Sequence, residues 1–75
     1  MKQMRHFTAV IEREGDGFFA LCPELDIASQ GTTVEEATAN LIEAIELFFE
    51  AADPTEVQSR LRTQLFVTTV EVPVG

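Results

Sequence analysis

Residues 14–37, EGDGFFALCPELDIASQGTTVEEA, decide the fold of this chain. EGDG predicts a tight turn, since glycine accepts a positive φ without steric cost and aspartate tolerates one. The apolar segment FFALC after it predicts a strand, and so does the alternating RHFTAVIER before it. Together the two strands predict a β-hairpin. Pro23 ends the second strand, because proline has no N–H to donate to a sheet ladder.

The second half of the same stretch predicts a short third strand and the start of a helix. The strand is DIASQG, residues 26–31. Thr33 stands three residues before Glu36, which is the spacing of a capping box. Apolar residues then recur at helical spacing, with glutamates on the opposite side. Pro54 interrupts this pattern, so the helix is predicted to end near Ala52.

A fourth strand is predicted in the C-terminal part of the chain. TEVQSRLRT, residues 55–63, predicts a connector with at most a helical turn, whereas QLFVTTVEV, residues 64–72, is β-branched and apolar, as strands are. The order is therefore β-β-β-α-β, an α+β fold. One long helix covers one face of a mainly antiparallel sheet in a two-layer sandwich. At 75 residues without a linker-like stretch, residues 1–75 are predicted to form a single domain.

The predicted sheet has more apolar surface than one helix covers, because its last strand is apolar on both sides. Uncovered apolar surface of this kind predicts a homo-oligomer, either a dimer or a tetramer. A domain of this size buries only roughly 60% of its unfolded surface. With a single cysteine the chain forms no internal disulfide, so association is the expected source of additional stability.

Charge is distributed unevenly along the chain. The chain has thirteen acidic and five basic residues, for a net charge of −8, and no lysine or arginine occurs between Glu14 and Ser59. Such a stretch repels phosphates, so we expect no direct nucleic-acid binding. It attracts a basic protein partner, although a solvated acidic face without a partner explains the charge equally well.

Membrane insertion and secretion are not expected. No apolar run approaches the roughly 20 residues of a membrane helix, and MKQMRHFTAV contains no hydrophobic signal region. A single cysteine fits a reducing compartment. We therefore expect a cytoplasmic protein with no membrane partner.

Candidate catalytic and metal-ligating groups are few. His6 is the only histidine and lies beside Arg5 on a predicted strand, where a surface position is its ordinary role. Cys22 has the acidic neighbours Glu24 and Asp26, which raise a thiol's pKa. A soft metal site would need further Cys or His ligands, and the carboxylates match no calcium loop. We expect no enzyme, no metal and no cofactor; a carboxylate-dependent hydrolase using a divalent metal is a further alternative.

The order of these motifs resembles the antitoxin family HicB. That family's pattern is an acidic-Gly turn, an aromatic-rich strand, a Pro-Glu-Leu loop, a glycine, and Thr-x-x-Glu-Ala opening a helix. The resemblance covers roughly residues 4 to 52. It is carried by Gly17, Phe18, Phe19, Pro23, Glu24, Leu25, Gly31, Thr33, Glu36, Ala37, Asn40, Leu41 and Ala44.

The resemblance implies a helix on a sheet, similar to a partly degenerate ribonuclease-H-like or double-stranded-RNA-binding-like fold. It also implies the partner: a small basic mRNA-cleaving toxin, HicA, whose active site the antitoxin occludes in a type II toxin-antitoxin system. Many members carry a C-terminal DNA-binding module. Here only PVG follows the predicted last strand, so no operator binding is expected. The alternative function is an oligomeric structural or small-ligand-binding protein of unknown partner.

Four residues are predicted to contact the partner. Glu24 and Asp26 have no evident structural duty, and their charges would act mainly on the association rate and its salt dependence. Phe18 and Leu25 are the apolar anchors among the four, and Phe19 is a further candidate anchor. Successive strand residues face opposite sides, so only one of Phe18 and Phe19 faces the core. Structural roles are predicted for the turn and cap residues Gly17, Pro23, Gly31, Thr33 and Glu36.

Overall fold

The fold is seen in a computed structural model that describes residues 4–61 and 65–75. Three strands precede two helices: Val10–Glu14 (β1), Gly17–Cys22 (β2), Ile27–Gly31 (β3), Val34–Ala51 (α1) and Pro54–Leu61 (α2). The strands form one antiparallel sheet in the order β1-β2-β3. Helix α1 packs on one face of this sheet, mainly over β3 and β2. The predicted α+β class is confirmed.

Strands β1 and β2 form the predicted hairpin. Glu14 pairs with Gly17, so Gly15 and Asp16 are the two loop residues. Gly15 has a φ of +59°. A positive φ at the first central residue is what a type II′ turn requires, and glycine adopts it without strain. Strand β1 is shorter than predicted, and residues 4–9 lead into it without regular secondary structure.

Helix α1 begins at an N-cap built from two threonines and a glutamate. Thr33 has extended backbone angles, and its hydroxyl accepts a hydrogen bond from the backbone N–H of Glu36 at 3.0 Å. The Glu36 carboxylate in turn accepts a bond from the N–H of Thr32 at 2.8 Å. In the standard capping box this second bond goes to the N-cap residue itself. Here it reaches one residue further back and so also fixes the chain that enters the helix.

The core lies between the sheet and α1. Its buried members come from β2, the turn after β2, and the first half of α1: Ala20, Cys22, Leu25, Ala37 and Leu41. Partly buried apolar side chains from both helices and from β1 pack around them. The core is therefore centred on β2, the middle strand, and not on the β1 edge.

Gly31 marks the closest approach of the sheet to α1. A Cβ on Gly31 would lie 2.5 Å from the backbone nitrogen of Ala37. A Cβ on Gly17 would lie 2.7 Å from the carbonyl oxygen of Gly31. Both obstacles are backbone atoms, which cannot rotate away as a flexible side chain can. Each of these two glycines therefore serves close packing rather than a positive φ.

Residues 54–61, predicted as part of a connector, form helix α2. The Asp53 carboxylate accepts a hydrogen bond from the N–H of Glu56 at 2.8 Å and so caps the helix. Pro54 occupies the first helical position, where its missing N–H costs nothing. Arg60 donates a hydrogen bond to the carbonyl oxygen of Leu25 and thereby ties α2 to the turn after β2.

The predicted fourth strand is wrong for the residues that the structure describes. Residues 65–75 form neither strand nor helix and are exposed along their length. Phe66 is 87% exposed and Val70 is 78% exposed. Gln64, the first residue of the predicted strand, lies outside the described residues. β-branched and apolar residues favour strands because they pack against neighbouring strands. The described sheet of this chain contains only β1, β2 and β3, so it offers residues 65–75 no such neighbour.

Replacing Gly31 by alanine is expected to lower the free energy of unfolding by about 1–3 kcal/mol, because the new methyl group pushes β3 away from the first turn of α1. Urea denaturation followed by helical circular dichroism measures the change. Ser29→Ala, on the same face of β3, is the matched control and is expected to change stability much less. Equal stabilities of the two variants would contradict the close approach.

Candidate functional site

The Glu24 carboxylate joins two distant parts of the chain. Its Oε2 accepts hydrogen bonds from the backbone N–H of Thr8 at 2.9 Å and from the Thr8 hydroxyl at 2.8 Å. The Cys22 thiol donates a hydrogen bond to Oε1, with 3.6 Å between Sγ and Oε1. Glu24 thus fastens the segment before β1 to the turn after β2. This is a structural duty that the sequence did not reveal.

The surroundings of Glu24 favour its ionised form. Partial burial raises the pKa of Glu24, but the two Thr8 donors lower it, and the net pKa lies below its ordinary value of 4.5. Burial, together with the charge of Glu24, raises the pKa of the Cys22 thiol. Cys22 is also fully buried. It is therefore a core residue, without the exposed thiolate that a nucleophile needs.

The other three predicted partner contacts do not share one surface. Leu25 is fully buried and does not reach a partner while the turn is intact. Phe18 lies on the helix side of β2 against the core, with the Arg13 guanidinium 4.7 Å from its ring centroid. Asp26 is exposed and has a φ of 55°, a left-handed conformation that aspartate tolerates better than most residues. Of the four, Asp26 alone is exposed.

The opposite side of the sheet is the surface that α1 leaves uncovered. Ala20 and Cys22 are buried beneath α1, so the alternate residues of β2 face away from it. Cross-strand pairing then fixes which residues of β1 and β3 stand beside them. We call this surface the open face, and it consists of Val10, Glu12, Glu14, Phe19, Leu21, Ala28 and Gln30.

The open face combines accessible apolar side chains with negative charge. Phe19 and Leu21 occupy its central strand and are half-buried, and Val10 is 45% exposed. Glu12 of β1 pairs directly with Phe19 of β2, so its carboxylate stands beside the apolar side chains of the central strand. A shallow depression of about 270 Å³ lies beside Phe19 and extends to Glu14. The residues of the open face include two carboxylates and no Lys, Arg or His.

Sequence reasoning placed Phe18 rather than Phe19 among the four partner contacts and missed the open face. The signal was present, since alternation along β1 already placed Val10 and Glu12 together. What the sequence left undecided was which of the two phenylalanines faced inward. The burial of Ala20 beneath α1 decides this, because Phe18 shares its side and Phe19 does not.

His6 is exposed in the segment before β1. Within residues 4–61 and 65–75, no three His, Cys, Asp or Glu side chains cluster as metal ligands would. The helices of these ranges lack the length and hydropathy required to cross a membrane.

The relatives of the chain carry one family name. A UPF0150 protein of Helicobacter pylori is 35% identical over 65 residues, a match covering 85% of this chain and 90% of that protein. The chain belongs to the UPF0150 family. A UPF0150 protein of Synechocystis sp. is 48% identical over 52 residues, covering 67% of this chain and 66% of the relative. A second from the same organism is 49% identical over 45 residues, covering 57% and 62%.

The two Synechocystis matches thus span slightly less than two thirds of each UPF0150 relative. No family model matches the chain, and no solved structure matches it significantly. The UPF0150 names state no activity, ligand or partner. Function is therefore argued from the surface itself.

Replacing Glu24 by glutamine keeps the shape of the side chain but removes its charge. Hydrogen bonds to a charged group contribute about 1.5–3 kcal/mol when shielded, and partial exposure reduces this, so we expect a loss of about 1–2 kcal/mol near pH 7. Urea denaturation measures it. Glu43→Gln, at an exposed position of α1, controls for the loss of one negative charge.

The stability difference between the wild type and Glu24→Gln is expected to depend on pH. The folded-state pKa of Glu24 lies below 4.5, so its stabilisation is complete above that value and is lost as the pH falls through the folded-state pKa. Denaturation curves near pH 7 and at about pH 3 should show the difference shrinking at the lower pH. A difference that stays constant would contradict the assigned charge.

Proposed function

We propose that this protein is an antitoxin-like binding module that neutralises a small basic partner, a HicA-like mRNA-cleaving toxin, by occluding it in the cytoplasm. The observation that carries the proposal is the open face, where apolar side chains stand beside carboxylates and no base is present. The motif order that resembles HicB supports the same partner class. Occlusion by surface complementarity requires no catalytic residue in this chain.

The chemistry of the open face suits an RNA-binding partner. Buried apolar anchors near the centre of an interface supply most of the binding energy, and surrounding charges set the association rate. Phe19 and Leu21 are the central apolar groups. Glu12 and Glu14 would meet the lysines and arginines with which such a partner otherwise contacts phosphates.

The open face is too small to form the whole interface. Three strands about 4.8 Å apart and about 17 Å long present roughly 250 Å² in projection, whereas a stable interface buries about 800 Å² per partner. The contact must extend past the ends of the strands. Asp16 in the hairpin loop and Asp26 in the turn after β2 are exposed at opposite ends. Asp26 thus keeps its proposed role as a peripheral charge, whereas Phe19 and Leu21 replace Phe18 and Leu25 as anchors.

A small-ligand-binding protein is the second candidate. A groove of about 880 Å³ between residues 4–9 and α1 favours it, since small-molecule sites measure about 300–1,000 Å³. Such a protein would need no toxin. Binding of a basic toxin that depends on the open face and not on this groove would decide for the first candidate.

Charge reversal tests the proposed toxin-binding surface. Glu12→Lys is expected to lower the association rate with a HicA-like toxin by about tenfold and to weaken its salt dependence, because the reversed charge repels a basic partner. Surface plasmon resonance against a catalytically inactive toxin measures both. Glu43→Lys, the same change at an exposed position of α1, is the control and should have much less effect.

Inhibition should also be stoichiometric. One equivalent of the wild-type protein is expected to stop RNA cleavage by the active toxin, and Glu12→Lys should require an excess. The absence of a complex with a HicA-like toxin at micromolar concentration would overturn the proposal. Equal effects of the two lysine variants would show only general attraction between opposite charges.

A further inference from the structure

The groove between residues 4–9 and α1 lies where the helix leaves the sheet uncovered. Because α1 packs mainly over β3 and β2, the side of the helix that faces β1 is left without a covering element. That flank lines the groove with the apolar residues Leu41, Ile42, Ile45 and Phe49 and with the polar residues Thr38, Glu46 and Glu50. Ile42 is 54% exposed. The fold therefore leaves a largely apolar groove between α1 and the segment that leads into its own edge strand.

The strand that follows residues 4–9, which line one side of this groove, has a free edge. Strand β1 is at one end of the sheet order, so one row of its backbone N–H and C=O groups is available to another strand. Residues 4–9 continue toward the groove from the start of β1. A strand added here would pair with β1 and direct alternate side chains toward α1.

The C-terminal segment, residues 65–74, has the sequence of such a strand. LFVTTVEVPV is apolar on both sides of a strand, with Phe66, Val70 and Val72 on one side and Leu65 and Val67 on the other. The first three are strongly exposed, and the whole segment is exposed. At about 3.3 Å per residue it extends about 33 Å, close to the extended length of residues 4–14. The chain thus carries both an open apolar groove and an uncovered apolar strand sequence.

The segment does not fill the groove of its own chain. The radius of gyration is 14.7 Å and the longest dimension is 51 Å, whereas a compact chain of this length has a radius of about 11 Å. The segment extends away from its own core. A second copy offers the same groove, so a twofold exchange covers both grooves and both segments.

We propose that the C-terminal segment of one copy adds to the β1 edge of a second copy and fills that copy's groove, reciprocally. Phe66, Val70 and Val72 pack against the apolar flank of α1. Glu71 is the only charged side chain of the segment. Arg5 lines the side of the groove formed by residues 4–9 and carries the opposite charge. The exchange uses the β1 edge and the helix side of the sheet, and it does not depend on the proposed toxin.

Charges placed in the groove and in the segment test the exchange. Ile42→Glu is expected to raise the dimer dissociation constant of the full chain by at least about 100-fold, because the carboxylate would be buried among apolar groups. Leu47→Glu is the matched control, since Leu47 lies on the same helix, is 56% exposed and does not line the groove. Val70→Glu should act like Ile42→Glu, with Thr69→Glu as the control on the opposite side of the strand.

Analytical ultracentrifugation at micromolar concentrations measures the constants, and circular dichroism verifies that each variant is folded. A wild-type protein that stays monomeric throughout the micromolar range would overturn the proposal. So would a dimer that Ile42→Glu and Val70→Glu leave unchanged, because that dimer would use another surface. Glu12→Lys should still dimerise, which separates this proposal from toxin binding.

A disulfide test distinguishes exchange from folding back. Isotope-labelled Ile42→Cys chains are mixed with unlabelled Val70→Cys chains and oxidised; the native Cys22 is buried and does not compete. A disulfide between a labelled and an unlabelled peptide is expected, since it forms only between copies. Mass spectrometry detects it. If the double variant on one chain instead gives only intrachain disulfide at concentrations where the wild type is dimeric, the segment occupies its own groove and the proposal is overturned.

Discussion

The close contact between the end of β3 and the first turn of α1 is the constraint on which the rest of the structure depends. Gly31 permits the two backbones to touch, and the Asn40 side chain adds a hydrogen bond to the carbonyl oxygen of Gln30 at 2.9 Å. Both contacts hold α1 at the β3 side of the sheet. The helix consequently covers β2 and β3 and leaves the β1 side open. The groove beside β1 follows from this off-centre placement, whereas the far side of the sheet is uncovered because α1 packs on one face only.

Local patterns were sufficient to predict the hairpin, the third strand and α1, because turn residues, alternation and a cap spacing act within a few residues of one another. The signal for α2 was equally local: Asp53, then Pro54, then Glu56 is an N-cap sequence that the reading of a connector overlooked. The role of Glu24 was out of reach, since its partner Thr8 is 16 positions away. The fourth strand failed for a related reason. A strand is stable only when it pairs with another strand, and the local sequence of residues 64–72 carries no information on whether such a partner is present.

The motif that resembles HicB gains a physical interpretation from the structure. Leu25 closes one end of the core and Glu24 fastens the chain that enters β1. Gly31 and Thr33 build the junction with α1. These positions specify how the chain folds, and of the motif residues Phe19 alone lies on the open face, beside residues from outside the motif. A shared motif of this kind is therefore evidence for a shared framework. The partner has to be argued from the exposed side of that framework.

The uncovered C-terminal segment also has a consequence for the lifetime of the protein. An exposed segment without secondary structure is a preferred site of proteolytic cleavage. If association covers it, the fraction of cleavable chains rises as the protein is diluted, because binding to a second copy follows mass action. The survival of each molecule would then depend on how many others are present. A 75-residue chain would in this way convert its own abundance into a rate of turnover.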